Sequence, residues 1–375
     1  MKIPFNKPHF TNNEIKHIIQ AAMTGQISGN GHFTRKCHRF LEKKYGFGKA
    51  FLTSSCTDAL EMAAVLLDLK PGDEVICPSY TFVSTAGSFV LHGAAIRFAD
   101  SRPEHPNVDA SKIEGLITPR TRAIIAMHYG GMACDMDRIT DIASRHNLIV
   151  IEDAALAIDA YYKRRALGSI GHLAGFSYHE TKNLITGEGG MLAVNDSALE
   201  ERAEIIWEKG TNRAAFKRGD VRKYEWVDVG SSYLPSEITA AGLYAQLGSL
   251  EDIQKRRVQI WHHYYAQLRS LDEKGLIHLP VIPEHATING SMFFFTVDNR
   301  KQRDELLSYL NKQGIQAVFH YLPLHISPFY KKRHDGRELP NAVRFSETIV
   351  RLPFYYDLTL SDVEHVAGKV REFFL

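Results

Sequence analysis

The chain has only four cysteines in 375 residues, Cys37, Cys56, Cys77 and Cys134, widely spaced and with no C-x-x-C pair. A disulfide framework and a structural zinc site are therefore not expected. There is no H-E-x-x-H, and His262-His263 and the scattered remainder of the 18 histidines lack ligand spacing, so no metal is expected either. Charge of one sign is lacking too: Lys+Arg 45 against Asp+Glu 43 leaves +2, no field for nucleic acid or an anionic membrane. Apolar runs such as Leu148–Ile151 fall far short of the roughly 18 residues that span a bilayer. Met1–Asn6 offers no apolar export-signal core. The expectation is a cytoplasmic protein with neither nucleic acid nor membrane as partner.

What remains is near-average globular composition, 44% hydrophobic and 23% charged. From about residue 48, short β-rich runs alternate with helix-like stretches, the signature of βαβ units around a parallel sheet. Strands are expected at Ala50–Thr53, Glu74–Pro78, Ala95–Ala99, Ala123–Met127 and Leu148–Glu152. The last is an unbroken apolar run ending in acids, as a strand covered on both faces reads. Helices with apolar residues three and four apart are expected at Cys56–Leu67, Thr81–Leu91 and Met136–His146. Shorter strands follow at Ala174–Tyr178 and Gly190–Val194, then helices near Ala198–Glu208 and Glu237–Leu247. The pattern predicts a large α/β domain over 1–250 with a mostly parallel sheet flanked by helices. A long helix, about 251–271, leads to a small C-terminal α+β domain over 251–375. That domain has strands Met292–Val297 and Ala317–Tyr321 and helices Lys301–Lys312 and Leu360–Phe373.

Ligands of open parallel sheets collect beyond the carboxyl ends of the strands, so polar residues there are candidates for chemistry. Thr53-Ser54-Ser55-Cys56-Thr57 sits where a strand turns into a helix. Free backbone N–H groups and the helix dipole would meet an anion there, with the Ser55 and Thr57 hydroxyls as further donors; a plain N-cap is the simpler use. Asp153 ends the next strand group and would face the same crevice, while Glu152 points the other way. A carboxylate there can hold a cationic ring nitrogen: at about 4 Å and an effective dielectric near 20 the attraction is about 4 kcal/mol. Lys182 lies between two short strands without helical period. A desolvated lysine becomes an amine nucleophile for a carbonyl. Phe82, just after the Glu74–Pro78 strand, could stack on a ring or simply pack in the core. Pyridoxal 5'-phosphate needs such parts together: a lysine, an acid for the ring nitrogen and donors for the phosphate.

The order Ser-Ser-Cys-Thr-Asp-Ala-Leu, Pro-Ser-Tyr-Thr-Phe-Val-Ser-Thr, Ile-Glu-Asp-Ala-Ala, Phe-Ser-Tyr-His-Glu-Thr-Lys-Asn and Phe-His-Tyr-Leu-Pro-Leu-His resembles the DegT/DnrJ/EryC1/StrS sugar aminotransferases. The resemblance runs from about residue 3 to the end and is nearest to members that make dTDP-4-amino-4,6-dideoxygalactose, the amino sugar of enterobacterial common antigen. It implies fold type I and pyridoxal 5'-phosphate held by Lys182, with Asp153 on the ring nitrogen and Phe82 on the ring. The Cys56 and Thr57 amides and Ser177 would bind the phosphate. It implies a homodimer with the active site at the subunit interface, Ser232 reaching the partner's phosphate. L-Glutamate would be the donor and a dTDP-4-keto-6-deoxyhexose the acceptor, with His320, Tyr321 and His325 as sugar or nucleotide contacts. Leu156 departs from the pattern: most members have Gln there, and Leu cannot hydrogen-bond the cofactor's phenolic oxygen.

Two rival enzymes are weighed by the same residues. A nicotinamide enzyme needs a glycine-rich turn after the first strand, and Thr53–Thr57 contains no glycine. Sugar dehydratases of the family replace the lysine by His, and this chain keeps Lys182.

Overall fold

The computed structural model describes residues 2–375. Two helices, α1 (Asn13–Met23) and α2 (His32–Tyr45), precede the first strand, β1 (Lys49–Thr53). Alternation then sets in with α3 (Cys56–Leu66), β2 (Glu74–Pro78), α4 (Val83–Leu91), β3 (Ala95–Ala99), β4 (Thr121–Met127), α5 (Met136–Arg145) and β5 (Ile149–Asp153). A two-residue hairpin, β6 (Tyr161–Tyr162) and β7 (Arg165–Ala166), leads to β8 (Leu173–Ser177) and β9 (Gly190–Val194). Helices α6 (Glu200–Trp207), α7 (Arg213–Arg218), α8 (Glu237–Gly248) and α9 (Leu250–Glu273) come next. The chain closes with β10 (Phe294–Thr296), α10 (Arg300–Lys312), α11 (Pro340–Thr348), β11 (Ile349–Arg351) and α12 (Leu360–Phe374).

Seven strands form one sheet in the order β1-β9-β8-β5-β4-β2-β3. Only β9 runs against its neighbours, β1 and β8; the pairs from β8 to β3 are parallel. This is the α/β fold with a mostly parallel, helix-flanked sheet that the apolar runs predicted. β5 lies in its middle, and Val150, Ile151 and Glu152 are fully buried between two helix layers, which is why its sequence does not alternate. Among the described residues no helix is long and apolar enough to cross a membrane.

The C-terminal part has its own core, in which Trp261 and Tyr264 of α9 pack with Phe293, Phe295, Leu306, Leu310, Val366 and Val370. Ile3, from the other end of the chain, joins it. The strand expected at Ala317–Tyr321 does not form. Val318 alone exchanges both backbone hydrogen bonds with Arg351, at 3.0 and 2.7 Å, and the next residues turn into a cavity instead of continuing the ladder. The helix expected from Thr81 begins at Val83, with Phe82 as its N-cap residue.

Beyond that cavity the chain runs along the free edge of β3. The Tyr330 hydroxyl bonds both backbone groups of Ile96, and an Arg337 N–H donates to the Phe98 carbonyl at 3.1 Å. The Asp100 carboxylate takes the N–H groups of Asn341 and Ala342 at 3.2 and 2.8 Å. The C-terminal part thus covers a strand edge of the large sheet.

Candidate active site

The segments that follow β1, β2, β4, β5 and β8 at their carboxyl ends meet in one cavity of about 510 Å³. Cys56 and Thr57, Phe82 and Thr85, His128, Asp153 and Leu156, and Ser177 and Lys182 all line it. Ligand sites collect at this end of an open α/β sheet because the loops and helix N-termini converge there.

The anion end is the start of α3. Ser55 caps the helix, its hydroxyl accepting the Asp58 N–H at 3.1 Å; the hydroxyl proton stays available as a donor, and Ser55 lines the cavity. The next two N–H groups, of Cys56 and Thr57, belong to the first turn and have no intrahelical acceptor. Thr57 Oγ1 donates to Ser84 Oγ at 2.8 Å, which fixes its rotamer. Gly190 of β9 makes this turn possible: a Cβ there would lie 2.3 Å from the Ser55 carbonyl carbon and 2.4 Å from the Cys56 nitrogen. Burial pushes the Cys56 thiol up, so it stays protonated.

Asp153 is 5% exposed. Its Oδ2 accepts the Thr85 hydroxyl at 2.6 Å and its Oδ1 the Ala155 N–H at 3.1 Å. Thr85 in turn is bonded to Thr81 at 2.7 Å. Both oxygens are thus oriented, and the carboxylate faces the cavity in a fixed position. Phe82 is 55% exposed, too open for a core residue. Its ring lies 6.1 Å from that of Tyr321, tilted by 55°.

Glu152, one residue before Asp153, points to the opposite side as strand geometry requires. It accepts N–H groups of Gly168, Ile170 and Gly171 at 2.7, 2.8 and 2.6 Å and shares a 2.9 Å bond with His128 Nε2. His128 Nδ1 takes the Cys134 N–H at 3.2 Å, which leaves the ring proton on Nε2 for Glu152. Burial alone would raise the Glu152 carboxyl, but His128 and the backbone donors outweigh it and hold it below its ordinary 4.5. The stability it lends is therefore present above pH 4.5 and lost as pH falls through the lower folded value. Glu152→Gln is expected to cost about 3 kcal/mol at neutral pH, since it breaks a fully buried cluster. It should also flatten the acid limb of stability, as urea unfolding at a series of pH values would measure.

Burial pushes the Lys182 ammonium below its usual 10.5, and the neighbouring Arg351 adds to this, while Cys56 and Asp153 oppose it. His320 is driven down to about 2, by burial first and then by Arg351 and Lys182, so its ring is neutral. Tyr321 lines the cavity beside it. His325 does not: its Nδ1 lies 2.7 Å from the buried Ser79 Oγ, and its N–H and that of Leu324 also bond to Ser79. The chain after Tyr321 returns to Ser79, the residue after β2, and His325 does not line this cavity. Ser232 is exposed, paired with Glu208 through the backbone and outside this cavity.

Several lining residues escaped the sequence reading, among them Thr85, His128 and Arg351. Thr85 had a signal, a hydroxyl in the first turn of α4, four residues after Thr81 in the loop that leads into it. His128 had one as well, a polar residue directly after the apolar β4. Arg351 had none, because it reaches the cavity from the far C-terminal part of the chain. Among the described residues no group of three His, Cys, Asp or Glu side chains could hold a metal.

The parts fit pyridoxal 5'-phosphate: unpaired first-turn N–H groups and Ser177 for a phosphate, Asp153 for a ring nitrogen, the open face of Phe82 for the ring and Lys182 for the aldehyde. Comparison with known proteins agrees. The DegT/DnrJ/EryC1/StrS aminotransferase family model matches residues 8–371. The spore coat polysaccharide biosynthesis protein SpsC of Bacillus subtilis is 34% identical over 379 residues, covering 99% of this chain and 96% of SpsC. Among solved structures, the aminotransferase TlmJ of Streptoalloteichus hindustanus superposes with a TM-score of 0.91 at 29% identity, over 99% of this chain and 98% of TlmJ. S. venezuelae DesV does so with 0.90 at 29%, over the same shares. The chain belongs to the DegT/DnrJ/EryC1/StrS family of sugar aminotransferases, whose cofactor is pyridoxal 5'-phosphate.

Proposed function

We propose that the protein transfers the amino group of L-glutamate to a nucleotide-linked ketosugar, dTDP-4-keto-6-deoxy-D-glucose, giving dTDP-4-amino-4,6-dideoxygalactose and 2-oxoglutarate. The observation that carries this reading is the convergence of Lys182, Asp153 and the Cys56–Thr57 turn on one cavity within a sugar aminotransferase chain. Retention of Lys182 favours transfer of nitrogen over dehydration.

Bound there, the cofactor supplies an electron sink for the carbanion that forms when the donor's Cα loses its proton. The other work falls to the chain. The Cys56 and Thr57 amides and Ser177 anchor the phosphate, and Phe82 covers the ring. Asp153, oriented by Thr85 and the Ala155 N–H, keeps the ring nitrogen protonated. Lys182 holds the aldehyde carbon and, once released from it, moves the proton between Cα and C4′, a task for an amine whose pKa burial has lowered. His320, a neutral ring, and Tyr321 meet the sugar. The donor half then runs in reverse on the ketosugar, so the kinetics are ping-pong.

A second copy of the chain completes the reading. Phe10, Ile15, Ile19, Met23 and Ile27 are exposed along and beside α1, an apolar stripe that a partner subunit would cover. Ser232, open and away from its own cavity, would reach the partner's phosphate.

The test is incubation with dTDP-4-keto-6-deoxy-D-glucose and L-glutamate, with NMR of the product. An axial amine at C4 and equimolar 2-oxoglutarate are expected. Sugar consumed without 2-oxoglutarate would assign a dehydratase, and no reaction with this sugar while another ketosugar is aminated would move the substrate.

A further inference from the structure

The buried side chains of Asn183, Gln254, Arg257 and Asn289 meet at one turn. Asn289, 1% exposed, lies between α9 and β10. Its Nδ2 donates to the carbonyls of Leu156 and Ile158, both at 2.8 Å, and its Oδ1 accepts the Ser291 N–H at 3.1 Å. Its own carbonyl accepts Asn183 Nδ2 at 2.8 Å, and the same Nδ2 donates to Gln254 Oε1 at 2.7 Å. The turn is pinned from α9, where Arg257 donates through Nε to the Gly290 carbonyl at 2.8 Å and through Nη2 to that of Ser291 at 3.1 Å. Only glycine fits at position 290: its φ is +60°, and a Cβ would lie 2.8 Å from the Arg257 carbonyl oxygen. Gly131 makes room in the same way, since a Cβ there would run into the Asn289 side chain.

Three loops of the cavity thus touch one residue. Gly131 belongs to the segment after β4, Leu156 and Ile158 to the one after β5, and Asn183 to the one after β8. The second of these begins at Asp153, and the third carries Lys182. The β5–β8 ladder ends at Asp153 and Gly175, so beyond it the placement of the two loops falls to side chains. An amide suits this place, because its two N–H groups serve two carbonyls while its oxygen takes a third partner. A carboxylate of the same shape would set acceptor against acceptor. We propose that Asn289 is a positioning residue of the transfer reaction, one that sets the place of the Lys182 amine against the Asp153 carboxylate and ties both to the long helix between the lobes. It touches neither reacting group itself and acts through the two loops that carry them.

This rests on the proposed function and is tested so that the two can fail separately. The visible absorbance of the holoenzyme, titrated with pH, reads the bond of Lys182 to the cofactor and needs neither glutamate nor sugar. Its midpoint is expected to move by about half a pH unit or more in Asn289→Ala and in Asn289→Asp, because the surroundings of the Lys182 nitrogen set it. In both variants kcat should fall about 100-fold, the cost of a misplacement near 1 Å, while KM for L-glutamate and for the ketosugar changes less than about threefold. Asn183→Ala cuts the tie on the Lys182 side alone and should lower kcat about tenfold with a shifted midpoint; it carries the test if the Asn289 variants do not fold. Combined with Asn289→Ala it should add little, since a tie cut at one end is already cut. An unmoved midpoint with kcat retained overturns the proposal, as does a loss confined to KM or a double variant in which the two losses multiply. If the wild-type protein does not react with L-glutamate, the proposed function falls, and the pH titration still decides the role of Asn289.

Discussion

Lys182→Ala is expected to abolish transamination, with a loss of at least about 10⁴-fold, the upper end of what a positioned proton carrier contributes. The loss is this large because one amine does two jobs, holding the aldehyde carbon and carrying the proton between Cα and C4′, and effects of groups that act as a unit are not additive. Lys182 makes no side-chain hydrogen bond that the fold needs, only a backbone bond from its N–H to the His179 carbonyl at 2.9 Å, and alanine keeps that. Stability should therefore change little. Borohydride reduction followed by peptide mass spectrometry checks the assignment: the cofactor mass should sit on the Lys182 peptide of the wild type and nowhere on the variant. A borohydride-stable adduct surviving in Lys182→Ala would contradict it.

Asp153→Asn should lower kcat by about 10³-fold, which is the roughly 4 kcal/mol of a 4 Å ion pair at an effective dielectric near 20. Asparagine preserves the volume; its Oδ1 can still accept the Ala155 N–H, and its Nδ2 can donate to Thr85, whose hydroxyl then turns to donate to Thr81, so the main change is one of charge. That charge matters most when the ring nitrogen must stay protonated while electrons flow toward it, hence in the transition state more than in the resting complex. Cofactor affinity should fall by no more than about tenfold. Measuring cofactor dissociation alongside single-turnover rates separates the two, and an equal loss in both would count against the role.

The sheet was legible wherever burial on both faces leaves an uninterrupted apolar run. β2, β3 and β9 fall where the sequence places them, and β5 is displaced by one residue. The residues after these strands could be read as a site because α/β topology brings their carboxyl ends together, so Cys56, Asp153 and Lys182 needed no long-range information beyond strand order. Elements whose pattern answers to something other than the local core were not legible. In α1 the buried positions include Glu14 and Ala21, while Ile15, Ile19 and Met23 are open. Its apolar stripe does not mark the core side. Ala317–Tyr321 has strand composition, yet Phe319 is exposed and only Val318 forms a bridge to another strand. Arg351 and His128 belong to the site through contacts between distant segments, His128 with Glu152 and Arg351 across from Lys182. Such contacts depend on packing, which no local period encodes.

The segment that lies on the edge of β3 has a consequence for how the molecule comes apart. Tyr330, Arg337 and the Asn341–Ala342 turn bond the backbone and acid of one lobe from the chain of the other, and Phe345 and Ile349 pack into the same apolar cluster as Phe98 and Ile125. The two lobes are expected to unfold together, because loss of the C-terminal lobe would bare a sheet edge and strip side chains from the other's interior. A single unfolding transition in heat or denaturant, the same by every probe, is the expected result.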